Sequence, residues 1–477
     1  MRRDGLAMAV LVAVGGALAI AFAERIGIND GQGWDGMSYA QWAQDLPQAL
    51  REGLTQYHAQ RVLPSAAVWA ALKLAGAVHD NPHVLRGFAV LDVVVLAASA
   101  ALWARIATLL AWSRPAAWAG FVALFGSFAI AKHATYYPAL TDPTAFALGM
   151  VMVWAYLADR PIALWLCAVL GVVTWPALPP LALAMLVFPR ATMGDGAPLD
   201  RRITRGLGGA AAALFVVLGF VYMFDPIAAG DDKFAAWVSR PWLVVTVPLL
   251  VAMIGGGIAI VLAPVRWRAL VAYVRELSRP RLVRALVAVL VLLIARAVYL
   301  ARVGIDGPGP TGAQFLCEHT LSALRGPLWG PVAHVVYFGP IIAVAIVCWR
   351  RIGEVVWTWG PAAVLALVLV VAFAAGSNSR QWSHLVPFLV AATIAATHAW
   401  WTARRVLGFA VLAFAWSKVW FHLGYDTVID WHSFPNQRYF MNTGPYSADG
   451  PYLVHLAAAA ITIALVAWRL LVYKRHQ

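Results

Sequence analysis

Gly33-Trp34-Asp35-Gly36-Met37-Ser38-Tyr39-Ala40-Gln41-Trp42-Ala43 follows closely on the apolar run Leu6 to Ala23. That run has the length of a helix that crosses a bilayer, and Met1-Arg2-Arg3 sets its start in the cytoplasm by the positive-inside tendency. Glu24-Arg25 and the loop stand where a signal peptide would carry its cleavage site, so the run is read as a first helix that stays in the chain. An acidic residue among glycines and aromatics, where a chain has just left the membrane, suits neither an anchor nor a core. It reads as a catalytic loop.

Composition extends this reading to the whole chain. It is 62% hydrophobic and 12% charged, and apolar runs recur at membrane-spanning length to its end. No hydrophilic stretch has room for a soluble domain of about 100 residues, so residues 1–477 form one transmembrane domain. The net charge of +14 comes from short Lys and Arg clusters between apolar runs, which are topology signals and not a nucleic-acid footprint. Cys167, Cys317 and Cys348 are too scattered for a disulfide framework or a metal knuckle.

Charge alternation orders the rest of the chain. Residues 44–60 are too polar to cross and read as a short interfacial helix. Two apolar runs, 61–77 and 88–104, fall where the flanking arginines allow a single crossing, so one of them is tilted, re-entrant or incomplete. Lys132-His133-Ala134-Thr135-Tyr136-Tyr137-Pro138-Ala139-Leu140-Thr141-Asp142-Pro143 is a second polar external loop. Trp175-Pro176 and Pro179-Pro180 break the run 162–187 into two short helices. Basic inner and mixed outer loops then alternate to Lys474-Arg475. The fold class is an all-α integral membrane protein, a polytopic bundle of roughly 12 to 14 transmembrane helices. Asp35, Asp142, Arg380 and Asp430 face outward; Arg202, Arg281 and Arg404 face the cytoplasm.

Asp35-Gly36-x-x-Tyr39-x-x-x-Ala43, at the end of the first transmembrane helix, resembles the first external loop of the C-type glycosyltransferases (GT-C), polytopic enzymes that take sugars from polyprenyl-phosphate donors. Gly376-Ser377-Asn378-Ser379-Arg380-Gln381-Trp382-Ser383-His384-Leu385-Val386-Pro387-Phe388 is similar to the late Arg-x-x-x-x-x-x-Pro helix start of many members. The resemblance covers residues 1–190, a catalytic module, and the Arg380 helix. Residues 207–350 match only in being hydrophobic, and 207–477 are otherwise variable helices. It implies a bacterial inner-membrane enzyme of the cell-envelope glycan, with its site toward the periplasm and a glycan, lipid or protein as acceptor.

Glycosyl transfer needs a base for the acceptor hydroxyl and a cation for the departing phosphate. Asp35 is the expected base, and Asp142, where the family carries an acidic residue in its second external loop, the other catalytic carboxylate. Arg380 is the expected phosphate holder, because a guanidinium grips phosphate oxygens in a fork; Arg61, Lys132 and His384 are further cations for the donor. Tyr39, Tyr137, His432 and Arg438 are assigned to the acceptor. Two carboxylates suffice for a divalent cation, yet the Asp-x-Asp and Glu-x-Asp pairs of some members are missing, so a divalent cation stays open and no cofactor is assigned.

Simpler roles compete for the same residues. Asp142 before Pro143 fits a helix cap, Arg380 a snorkelling anchor, and Asp35 a turn. Asp231-Asp232 and the Asp426, Asp430, His432 group read as solvated loop charges. Two other function classes stay open: a lipid-linked-glycan flippase or transporter, and a membrane polysaccharide polymerase or ligase. The first calls for ionisable groups in mid-membrane; the second leaves the Asp35 loop without a role.

Overall fold

The structure, a computed structural model, describes residues 2–193, 197–223, 242–303, 319–320, 322–423 and 449–475. These residues are helices and their connections, with no strand. Asp231-Asp232, Asp426, Asp430, His432, Arg438 and Cys317 lie outside them; Cys167 and Cys348 are buried.

Helix α1 (Arg2–Phe22) leads into three short helices, α2 (Gly36–Gln44), α3 (Leu46–Glu52) and α4 (Gln56–Ala59). Then come α5 (Leu63–Leu74) and the long α6 (Asn81–Leu109). The doubtful pair of runs is thereby resolved: α5 has 12 residues, about 18 Å, too short for a hydrocarbon core of about 30 Å. Helix α6, with 29 residues, has the length to cross.

Next, α7 (Arg114–Phe125) bends by 51° into a π-helical turn, Ala129–His133, and the short α8 (Ala134–Tyr136). Helix α9 (Asp142–Leu157) runs back, followed by α10 (Pro161–Val172) and α11 (Leu178–Val187), which meet at the Trp175-Pro176 break. The chain continues through α12 (Arg201–Met223), α13 (Leu243–Leu262), α14 (Trp267–Glu276) and α15 (Arg279–Val303). Last come α16 (Trp329–Phe338), α17 (Ile341–Trp357), α18 (Pro361–Ala375), a 3-10 turn Ser379–Trp382, α19 (Val386–Thr397), α20 (Ala403–Ser417) and α21 (Asp449–Arg475).

Among the described residues five helices are long and apolar enough to cross a membrane: α1, α6, α13, α15 and α21. Each of two bent pairs, one of them α16 with α17 at 117°, adds a crossing if it spans as a unit. Apolar side chains left bare on α1 (Leu6, Val10, Leu18) and α15 (Leu286, Leu290, Ile294) suit a lipid surround. Several further apolar stretches that the sequence reads as crossings are helices of 10–17 residues, cut short by proline or turns. Hydropathy counts apolar residues, not the point at which a helix stops.

The bundle has two distinct ends. Helix α9 starts at Asp142 and ends about 24 Å away, where Asp159 meets Arg281 at 3.5 Å and Arg190 Nη1 donates to Leu157 O. Arg114 pairs there with Asp4 at 2.8 Å where α6 ends and α7 begins. At the other end, α1 delivers the Asp35 loop, α6 begins, and Tyr299 near the end of α15 donates to Ala59 O at 2.7 Å. The outer loops expected around Asp35, Asp142 and Arg380 thus gather at one end, away from Arg281.

Candidate functional site

The Asp35 loop is shaped by left-handed residues. Asn29 and Asp30 (φ 51° and 53°) tolerate that region, and Gly33 (φ 67°) suits it. Asn29 Nδ2 donates to Gly33 O at 2.7 Å, while Asn81 Nδ2 donates to Asp30 O at 2.9 Å. Ile26 N donates to Tyr136 O, which ties the first loop to the second. Both Gly33 and Gly36 sit on the Tyr137 ring: a Cβ at Gly33 would lie 2.3 Å from Tyr137 Cζ, and one at Gly36 2.9 Å from Cε2. The Gly36 N–H donates to the Tyr137 hydroxyl at 3.0 Å. The glycines of the quoted motif therefore seat Asp35 on the second loop.

Asp35 holds the N-cap position of α2, yet its carboxylate caps nothing; Oδ2 accepts from Arg380 Nη1 at 3.4 Å. Thr141, not Asp142, is the N-cap of α9, and the Asp142 carboxylate likewise makes no capping bond. It accepts two parallel bonds from Arg380, Nε at 3.0 Å and Nη2 at 3.1 Å. Such a fork, with both partners shielded from water, fixes the guanidinium in place. The two acids differ in access: the Asp142 side chain is 7% exposed and that of Asp35 40%. Because the guanidinium stands between the carboxylates, a divalent cation has no seat between them. No group of three or more metal-ligand side chains occurs among the described residues.

A third layer positions Arg380. Trp382 Nε1, which only donates, bonds to His334 Nδ1 at 3.0 Å, so His334 carries its proton on Nε2 and donates it to Ala374 O at 3.1 Å. The Ser379 hydroxyl lies 2.8 Å from the same Nδ1. Gly330 lets α16 approach the end of α18, where a Cβ would meet Ala374 O at 2.7 Å. One turn on from His334, Tyr337 lies 3.2 Å from His133 Nδ1. A small cavity of about 10 Å³ is lined by His133, Tyr137, Asp142, Phe146, Tyr337 and Ser383 among others. His133, His334 and Tyr337 were not assigned from sequence. Only the spacing of His334 and Tyr337 on one helix face, inside an apolar run, marks the latter two.

The remaining cations differ sharply from one another. Arg61 is 3% exposed and lies between the rings of Tyr57 (4.3 Å) and Trp175 (4.4 Å). Its side chain makes no hydrogen bond or ion pair among the described residues, and its Nε is buried without a partner. Asp35 and Asp142 are both within electrostatic reach of it. Trp175 Nε1 donates to Gln381 O at 3.3 Å, so this aromatic box is fastened to the residue after Arg380.

Lys132, expected at the donor phosphate, is spent elsewhere. It pairs with Glu24 at 3.2 Å and donates to Phe421 O. His384 is 1% exposed, and burial pushes its imidazole down to about 3, so it is neutral and brings no positive charge to a phosphate. Burial also holds His58 below its ordinary value, against the pull of Asp35. Tyr39 is wholly buried against Trp42 and His58 and offers an acceptor no surface. The Tyr137 hydroxyl is engaged by Gly36, while its ring faces the cavity.

Compared with protein-family models, with curated proteins and with solved structures, the chain matches none.

Proposed function

We propose that this chain is a membrane glycosyltransferase of GT-C type, which moves a sugar from a polyprenyl-phosphate donor to a lipid, glycan or protein acceptor. One observation carries the reading: a half-exposed carboxylate, Asp35, stands beside a locked Arg380, with a second buried guanidinium, Arg61, that pairs with no carboxylate among the described residues. On this reading the Asp35 end faces the periplasm of a bacterial inner membrane. The short apolar helices join into further crossings, toward a bundle of roughly 12 to 14.

The chemistry follows from which groups are already engaged. An acceptor hydroxyl hydrogen-bonds to Asp35; as its oxygen bonds to the anomeric carbon, its proton passes to the carboxylate. The bond from that carbon to the phosphate oxygen breaks, and its electron pair leaves on polyprenyl phosphate. Arg61 and the two N–H groups of Arg380 that Asp35 and Asp142 leave unused then meet the new charge. Asp142 is a positioning residue, since it touches Arg380 and is closed to water.

A carrier for a lipid-linked glycan is the second reading, favoured by Asp92. This acid lies within α6, 1% exposed, with neither oxygen hydrogen-bonded among the described residues, and buried membrane acids often mark transport paths. A polymerase or ligase with its chemistry in one late loop leaves the Asp35–Arg380–Asp142 contact unused. The test is purified protein in nanodiscs, given labelled polyprenyl-phosphate hexose or pentose and a lipid acceptor. Release of polyprenyl phosphate with transfer of label is expected. Movement of an intact lipid-linked glycan across vesicles, without bond cleavage, selects the carrier.

A further inference from the structure

Helix α14, between α13 and α15, lies at the end of the bundle away from Asp35. Its sequence Trp-Arg-Ala-Leu-Val-Ala-Tyr-Val-Arg-Glu sorts round the axis, at about 100° per residue, into three strips. One packs inward: Ala269 is buried, and the Tyr273 hydroxyl donates to Pro189 O at 2.9 Å. A second, Trp267, Val271 and Val274, turns away from the protein, with Trp267 61% and Val274 48% exposed. Arg268 and Arg275, both exposed, form the third and run beside the apolar strip. Arg279 and Arg284, also exposed, follow at the start of α15, whose next turns bare Leu286 and Leu290. Glu276 is the one acid between residues 266 and 284.

A tryptophan and a valine bared beside arginines suit a membrane interface. The apolar strip sinks to the acyl boundary while the guanidinium groups stay at the level of the phosphates. We infer that α14 and the first turns of α15 form a docking surface for anionic phospholipid. Arg268, Arg275, Arg279 and Arg284 take the phosphodiester, and Trp267 and Val274 take the acyl chains. Arg281 is spent on Asp159. The apolar strip decides between sources, because a soluble phosphate has no use for it. This surface is independent of the reaction proposed at Asp35.

The test titrates phosphatidylglycerol or phosphatidylcholine into the full chain in detergent and counts bound lipid by native mass spectrometry. Preference for phosphatidylglycerol is expected. The double variant Arg268→Gln/Arg275→Gln weakens it by about 30-fold and leaves phosphatidylcholine unchanged. Val274→Ser, with every arginine kept, weakens both lipids. No preference in the parent, an unchanged preference in the double variant, or full displacement of the lipid by inorganic phosphate overturns the inference.

Discussion

The two ends of the bundle handle charge in opposite ways. Around Asp159 and Arg350, ionised groups stand in water: Asp159 is 68% exposed beside Arg281, and Arg350 is 85% exposed beside Glu354 at i,i+4. Around Arg380 they are withdrawn from solvent; Asp142 is 7% exposed, Arg380 14%, and Arg61 is enclosed by aromatic rings. Exposed pairs contribute about 0–1 kcal/mol and are screened by salt. Buried groups cost several kcal/mol to desolvate, an expense that a chain carries where charge is put to work. On the function proposed above, the solvated Arg281 and Arg350 stand outside the chemistry, and the enclosed Arg61 and Arg380 carry it.

The sharpest way to break that contrast is to neutralise one acid at each end. Asp35→Asn should lower turnover by about 100-fold or more, with donor binding and melting temperature little changed. Asp159→Asn should leave both alone. Equal activity in the two variants, measured as label transferred, removes Asp35 from the chemistry.

Arginine gives the next largest difference. Arg61→Gln should weaken donor binding by about 10- to 100-fold, the worth of charge-assisted hydrogen bonds to a phosphate. Arg350→Gln should do nothing. A donor titration in which Arg61→Gln binds like the parent would show that the aromatic box is purely structural.

Glycines sharpen the comparison at smaller amplitude. Gly33→Ala drives a methyl into the Tyr137 ring, and Gly360→Ala, at the other end, places one 3.2 Å from the Tyr156 hydroxyl; both residues have positive φ. Each should lose about 1–3 kcal/mol of stability. Only Gly33→Ala should also reduce turnover, because only it tilts the seat of Asp35. Thermal melts read beside kcat separate the two effects.

The last comparison is a pH slope. His384 titrates at about 3 in the fold and near 6.5 when unfolded. Its contribution is therefore full above pH about 6.5 and is lost as pH falls toward the folded value. Melting temperature should decline over that window, and less steeply in His384→Phe. Parallel slopes would show that His384 is not the group responsible.

Asp35, Asp142 and Arg380 were legible because each lies in a short polar run, bounded by glycine or proline, between apolar segments. Their placement at one end followed from charge alternation. What alternation does not carry is the partner: the fork between Asp142 and Arg380 joins residues far apart in sequence, as does the Trp175 face over Arg61. Lys132 and His384 had the right chemistry and address, yet an ion pair claims one and burial neutralises the other. Crossing number was the least legible property, since the sequence leaves one of the runs 61–77 and 88–104 incomplete without saying which, and the end of α5 at Leu74 decides it.

The π-helical turn at Ala129–His133 makes reading frame along the helix a functional variable. Such a turn holds one residue more than α-helical geometry requires, so deleting an alanine inside it, such as Ala131, would close it to an ordinary helical turn with its flanks nearly in register, whereas deleting Ala134, just beyond it, would swing the residues that follow by about 100°. Tyr136 and Tyr137 follow at once, and the Asp35 loop hangs on both, by Ile26 on the first and by Gly36 on the second. Deletion of Ala134 would thus spare every residue assigned to the chemistry and still disassemble their meeting place, an indel sensitivity that point substitution alone would not expose.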